Sequence, residues 1–259
     1  MGKPPFFSKE EEVATEAPPP YTPSANVNNF AEPSSQLAPV NRQFPPWFNL
    51  YSGGAFSSSF TLGEHRHQPL YSVTLHTGFS GNPDVVLHAG SDKSSPPLAT
   101  ANSKTMSRHM TITLPPPLPS GAGAGAEERL TGRVSGRTYT FDIEVGDDAG
   151  RREPFEWRHS AGDAVRALGG QSNGWKLVRM GGGAGVGTAM SGPAASDGNE
   201  VVAVWAPYVM SFSKAMCFGF LGSGASGVLG ERWAVMAVIT ALGLWDLDRK
   251  NGSASAAAS

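Results

Sequence analysis

The sequence predicts a mainly β fold, a closed antiparallel β-barrel around one buried C-terminal helix, and three observations lead there. The first is the run Trp233-Ala-Val-Met-Ala-Val-Ile-Thr-Ala-Leu-Gly-Leu-Trp245, which holds no charge. A surface helix shows an apolar stripe opposite a polar face, whereas this one is apolar all round and must be enclosed. The second is a succession of short segments upstream in which apolar and polar residues alternate. The third is composition: 32 Gly and 21 Pro against 16% charged residues indicate many turns rather than a helical bundle.

Residues 1–43 read as a disordered tail. They carry Glu10, Glu11, Glu12 and Glu16, scattered prolines and few branched apolar residues, too little to offset the entropy of ordering. The folded domain is expected over 44–250, opening at Phe44-Pro-Pro-Trp-Phe-Asn-Leu50 where aromatic density rises. Strands are expected at Phe56–Leu62, Leu70–His76, Asp84–His88 and Met110–Leu114. The clearest is Thr138–Val145, where Tyr139, Phe141, Ile143 and Val145 share one face and Thr138, Thr140, Asp142 and Glu144 the other. Phe155–His159 and Trp175–Arg179 alternate in the same way, and Val201–Trp205 and Ala215–Leu221 read as continuous apolar strands. Ser80-Gly-Asn-Pro83, Gly146-Asp-Asp148 and Ser196-Asp-Gly198 read as turns. Two inserts rich in Gly, Ala and Pro, 115–126 and 181–195, are expected to be mobile loops, and 251–259 a disordered tail. From Glu231 to Trp245 a helix would be roughly 22 Å long at about 1.5 Å per residue. That falls short of the ~30 Å hydrocarbon core of a bilayer. About ten strands and one such helix fit a barrel, which also leaves no exposed sheet edge.

Net charge is −2 and pI about 6.3, so no bulk electrostatic pull toward nucleic acid is expected. The single cysteine, Cys217, excludes an intrachain disulfide framework and a zinc site of cysteine pairs, and reads as a buried core thiol. The N-terminus shows no basic region followed by an apolar stretch, so a cytoplasmic protein is expected.

Tyr71-Ser-Val-Thr-Leu-His76, Phe155-Glu-Trp-Arg-His159, Gly174-Trp-Lys-Leu-Val178 and Trp233-Ala-Val-Met-Ala-Val238, in this order before a hydrophobic helix, resemble the tubby C-terminal-like superfamily. That superfamily includes LURP-one-related proteins and phospholipid scramblases, and the chain is most similar to its fungal members. The resemblance covers roughly residues 44–250 and implies a twelve-stranded barrel threaded by the C-terminal helix. It also implies a non-catalytic binding module at a phosphoinositide or membrane surface. The scramblases' acidic calcium segment is replaced here by Leu221-Gly-Ser-Gly-Ala-Ser-Gly-Val-Leu229, which holds no carboxylate, so calcium-driven scrambling is not implied. Arg151 and Arg152, adjacent in a turn, are the candidate headgroup ligands.

The sharpest interaction motif is Pro18-Pro-Pro-Tyr21. It fits the P-P-x-Y ligand of WW domains: the prolines preset a polyproline II helix, so docking orders little further chain, and the tyrosine fills an aromatic groove. Pro18, Pro19 and Tyr21 therefore point to a WW-domain partner such as a ubiquitin ligase. A competing reading is a nucleotide-binding protein or enzyme. Gly222-Ser-Gly-Ala-Ser-Gly227 matches G-x-G-x-x-G between an apolar strand and a helix, yet no second strand ending in an acidic residue follows. A third reading is a protein-binding scaffold without a lipid role. His65, His67, His76, His88, His109 and His159 read as surface or loop residues without the ligand set of a metal site. Glu156 and Arg158 read as a cross-strand charge pair rather than catalytic groups. No cofactor is expected.

Overall fold

The structure is a computed structural model. It describes Gly2 and residues 43–257, apart from 55–56, 78–79, 104–108, 116–125, 134–136, 147–150, 170–171, 182–191, 209–210 and 212. The expected N-terminal tail up to residue 42, with its Pro18-Pro-Pro-Tyr21 motif, and most of both inserts lie outside the described residues.

The described chain is a closed antiparallel barrel of twelve strands around a C-terminal helix. The strands are β1 Trp47–Ser52, β2 Ser59–Gly63, β3 Tyr71–Leu75, β4 Val85–His88, β5 Pro97–Ser103 and β6 His109–Leu114. They continue as β7 Ala126–Gly132, β8 Thr138–Glu144, β9 Arg152–Ser160, β10 Gly174–Arg179, β11 Val201–Pro207 and β12 Lys214–Phe220. Each pairs with its neighbours in sequence, and β1 closes on β12 with Phe48 opposite Phe218 and Leu50 opposite Met216. Three helices complete the fold: α1 Asp163–Arg166, α2 Gly222–Ser226 and α3 Glu231–Ala257.

Alternation sorts the side chains. In β8, Tyr139, Phe141 and Ile143 point inward with Phe155 and Trp157 of β9, while Thr138 and Thr140 point out. The inward residues of all twelve strands form one core with Trp233, Met236, Ile239, Leu242 and Trp245 of α3. That enclosure is why α3 needs no polar face over this stretch. One polar group inside it, Thr240, is satisfied twice: its hydroxyl donates to Met236 O (2.7 Å) and accepts from Trp157 Nε1 (3.0 Å). Where α3 passes β5 and β6 the fit is close. A Cβ at Gly243 would come within 2.9 Å of Met110 Sδ and 3.4 Å of the Ala101 side chain.

Several expectations are corrected. Strands β1, β5 and β7 lie where the sequence pattern marks no strand. The helix runs on to Ala257, so residues 251–257, expected as tail, are helical; their alanines favour it. The end of the second insert is paired to the barrel, with Ala194 bridging Glu200. Cys217 is buried, but on the outer face, where α1 covers β10–β12 with Val165, Val178 and Val204. Burial pushes its thiol pKa up. Glu156 and Arg158 pair along one strand, not across two, with Arg158 Nε donating to Glu156 at 2.5 Å. His88 is buried rather than exposed, held between Thr74 Oγ1 and Ser95 O.

Candidate functional site: the open mouth of the barrel

Register assigns each strand terminus to one end of the barrel. Trp47 lies opposite Gly219 and Tyr51 opposite Lys214, so the start of β1 and the end of β12 share an end. α3 enters at that end and leaves at the other, where the end of β1 and the start of β12 lie.

The entry end is closed by two charge clusters. In the first, Arg232 of α3 donates to Glu144 (3.1 Å), Glu128 (2.8 Å) and the Pro115 carbonyl, and Arg152 joins Glu128 (2.8 Å) and Glu144. Strands β7 and β8 register only at Thr131–Thr140 and Gly132–Tyr139. Beyond that point Arg152 donates to the Asp142 carbonyl (2.7 Å), a donor supplied by a side chain in place of a ladder partner. In the second cluster Arg179 donates to Glu153 (2.6 and 2.9 Å), and Arg151 pairs with the same carboxylate. The hydrogen bonds from Arg179 are the main reason Glu153 is held below the usual carboxylate range.

This geometry bears on two sequence candidates. Arg151 and Arg152 do not form a common basic site. One turns to Glu153 and the other to Glu128 and Glu144, because successive residues entering a strand point to opposite sides. Their charge is offset by carboxylates of the protein itself. The Gly222–Gly227 loop opens the short helix α2, and the group at its start is Glu200, which accepts from Ser223 N (2.7 Å) and Ser223 Oγ (2.8 Å). A phosphate on a dinucleotide-type loop would need those donors. The glycines answer to packing: a Cβ on Gly224 would meet Val202 O at 2.2 Å, and one on Gly222 would meet Glu200 Oε1 at 2.4 Å.

The exit end is open. A cavity of about 1060 Å³ lies between α3 and the rim formed by β1–β3, β11 and β12. Its apolar lining is Phe60, Leu75, Trp205 and Trp245, with Trp245 edge-on to Phe60 at 5.1 Å. Behind Trp205 stacks Trp175, whose Nε1 donates to Asp248 at 3.1 Å. Asp248 is exposed on one side, and desolvation by the surrounding protein raises its pKa against the opposing pull of that hydrogen bond. The cavity's cations are Lys214, Arg249 and Lys250. Arg249 and Lys250 are held by Asp246 (both 2.7 Å), and Lys250 also by Asp84 (3.0 Å), which ties the helix exit to the wall. Lys214 lies over the Tyr208 ring at 5.4 Å and has no carboxylate partner among the described residues.

Compared with family models, curated proteins and solved structures, the chain matches none.

The buried indoles add one more distinction. Trp157 and Trp175 donate to Thr240 and Asp248, whereas Trp205 and Trp233 are buried with no acceptor for Nε1 among the described residues. Trp233, at the closed end, lines a void of about 20 Å³, the scale of one water. Trp205 lines the open mouth. Sequence reasoning missed the mouth because its aromatic and basic residues come from segments far apart in the chain. Among the described residues no group of three or more His, Cys, Asp or Glu could hold a metal.

Proposed function

We propose that this chain is a non-catalytic binding and adaptor module whose open barrel mouth meets an anionic, phosphoinositide-bearing membrane surface. The observation that carries this reading is the asymmetry of the ends: one mouth combines aromatic residues with Lys214, which has no carboxylate partner among the described residues, while the other is closed by internally balanced charge. The mouths of barrels are habitual ligand sites. The closed barrel around a C-terminal helix supports the tubby-like resemblance and, through it, a cytoplasmic protein peripheral to membranes. No helix of the described residues is long and apolar enough to cross a bilayer. In this reading Pro18-Pro-Pro-Tyr21 recruits a WW-domain partner to the surface on which the barrel sits. Headgroup contact belongs to Lys214 rather than to Arg151 and Arg152.

Flotation of the full chain with phosphatidylcholine vesicles, with and without phosphoinositide, at two salt concentrations tests the reading. The expected result is binding that requires phosphoinositide, weakens with salt and is lost in Lys214→Glu. Absence of flotation in every condition would overturn the membrane role and leave a protein-binding scaffold.

A further inference from the structure

The barrel wall parts between β7 and β8. Arg133 N donates to Thr138 O (2.9 Å), and Thr131 and Gly132 register on Thr140 and Tyr139. Carried on, that register would set Arg129 opposite Asp142 and Glu127 opposite Glu144, but pairing stops at Thr131. On their other sides the two strands are paired throughout, β7 to β6 from Ala126 to Thr131 and β8 to β9 from Thr138 to Glu144. Alternate residues of a strand turn their N–H and C=O to alternate neighbours. Because Arg133 and Thr138 face each other, Arg129 and Glu127 turn these groups toward β8, and Asp142 and Glu144 turn theirs toward β7. Asp142 O has found a partner in Arg152 Nη2 at 2.7 Å, in the place of the Arg129 N–H that a continued ladder would supply.

A ring of four side chains spans the gap. Glu128 of β7 and Glu144 of β8 each accept from both Arg152 and Arg232. By alternation Glu128 shares the inner face of the wall with Leu130, and Arg152 the outer face with Pro154. Their contact at 2.8 Å therefore passes between the two strands. The arginines differ in access: the Arg152 side chain is 41% exposed and that of Arg232 15%, so Arg152 is the link that solvent reaches. We infer that the β7–β8 seam is a latched opening in the barrel wall, held by Arg152, whose release parts the two strands from the entry end while the rest of the barrel stays folded. Parting them gives up only the pairs near Thr131 and Gly132, because the other registered pairs of β7 and β8 run to β6 and β9. Folded proteins open locally where few bonds join one unit to the next. What the opening bares is Leu130 and Ile143, both at 0% exposure, and the first turn of α3, which carries Arg232. The second charge cluster lies off the seam, since Arg151 and Arg179 hold Glu153, opposite Ile143 on the β8–β9 side.

Hydrogen exchange of the full chain at pH 7, resolved residue by residue by NMR, tests the latch. It is independent of the membrane reading, which concerns the opposite end. In the unmodified chain the amides of Glu127, Arg129, Asp142 and Glu144 should exchange far faster than those of Glu128, Leu130, Phe141 and Ile143, so that protection alternates along β7 and β8. In Arg152→Gln, checked for folding by its melting transition, the amides of Thr131 and Thr140 should exchange about tenfold faster or more, the worth of one charge-assisted hydrogen bond. Those of β1–β5 and β10–β12 should be unchanged. The acceleration should be insensitive to low urea, since a local opening bares little surface. Arg152→Lys should fall between, because one ammonium cannot fork to two carboxylates and a carbonyl. Arg151→Gln, the matched control outside the ring, should leave Thr131 and Thr140 as they were. Even protection along β7 and β8 in the unmodified chain would overturn the parted seam without recourse to any variant. Unaltered exchange at Thr131 and Thr140 in Arg152→Gln would overturn the latch. Acceleration that spreads over all strands and steepens with urea would also overturn it, by showing Arg152 to be a support of the whole fold.

Discussion

The two ends of the barrel solve the same problem in opposite ways. Each must deal with the terminus of a helix that is apolar all round and with strand ends that have run out of partners. At the entry end the solution is ionic: Arg232 and Arg152 interleave with Glu128 and Glu144, and Arg179 and Arg151 share Glu153. At the exit end only the helix itself is tethered, by Lys250 and Arg249 to Asp246 and Asp84, and the rest stays open around Trp205 and Trp245. The closed end pairs its cations with its own carboxylates, while at the open end Lys214 has no carboxylate partner among the described residues. A barrel with two ends like the first would be a plug with no accessible interior. The difference is therefore a physical basis for placing ligand binding at one end only.

The largest effect is expected where both ends share a support. Ile239 is fully buried in the middle of the enclosed stretch of α3, and Ile239→Asp would place an unpaired carboxylate against the core, at a cost of several kcal/mol. Loss of the cooperative melt and of near-ultraviolet dichroism is expected. A folded Ile239→Asp would mean that α3 is not the common axis of the two ends.

Next comes the closed end alone. Arg232→Met would leave Glu128 and Glu144, both nearly buried, facing each other with Arg152 as the remaining cation. Breaking such a network costs about 3 kcal/mol. Arg232→Lys should recover only part of it, since a single ammonium cannot fork to two carboxylates and a carbonyl. Acid should weaken the same end. Glu153 and Glu144 are both held below the ordinary glutamate value of 4.5, so their contribution to stability is full above that pH and is lost as the pH falls through the lower folded values. Hydrogen exchange below pH 4.5 should therefore rise first in β8–β10 near Arg152 and Arg179. Ionic closure would be disproved by uniform exchange along those strands.

A smaller effect calibrates the uncommitted indole. Thr240→Val is nearly isosteric and removes the acceptor of Trp157, making it a buried donor like Trp205. Destabilisation of about 1–3 kcal/mol is expected in denaturant titration. A neutral result would show that a buried indole without an acceptor, as at Trp205 and Trp233, costs little in this core.

The barrel was legible where side chains contrast. Thr138–Glu144 alternates between aromatic or branched residues and polar ones, and its burial follows that pattern. In β5 the inward residues are Ala99 and Ala101, kept small because α3 comes close at Gly243, and small residues carry little hydropathic signal. Strand β7 has Leu130 as its one large inward apolar side chain and directs Glu128 toward Arg232, so it reads as part of the preceding Gly/Ala loop. The mouth was illegible for a topological reason. Trp175, Trp205, Lys214 and Trp245 lie on four elements, and only closure of the barrel brings them to one rim. Adjacency misled in the opposite sense at Arg151 and Arg152, whose side chains part at the strand entrance.

The smallest effect carries the opposite sign from those at the closed end. Asp248 at the mouth is raised above its ordinary value of 3.8 because the surrounding protein partly desolvates its charge, more than Trp175 supports it, while its side chain keeps contact with solvent. For an acid this means that the folded state holds the proton over a pH range in which the unfolded chain has released it. Stability therefore falls as the pH rises from 3.8 through the folded value, and the cost persists at neutral pH. Asp248→Asn keeps an amide oxygen to accept from Trp175 and carries no charge to desolvate. It should melt slightly higher than the unmodified chain at pH 7, the gain kept small by solvent screening at this exposed position. The advantage should shrink toward zero below pH 3.8, where both forms are neutral. Thermal melts of the two proteins across pH 3–8 give the curve. A lower melting point for Asp248→Asn at pH 7 would mean that the carboxylate stabilises the exit end by ionic contact as the entry end is stabilised. The contrast between the two ends would then be one of shape and not of electrostatics.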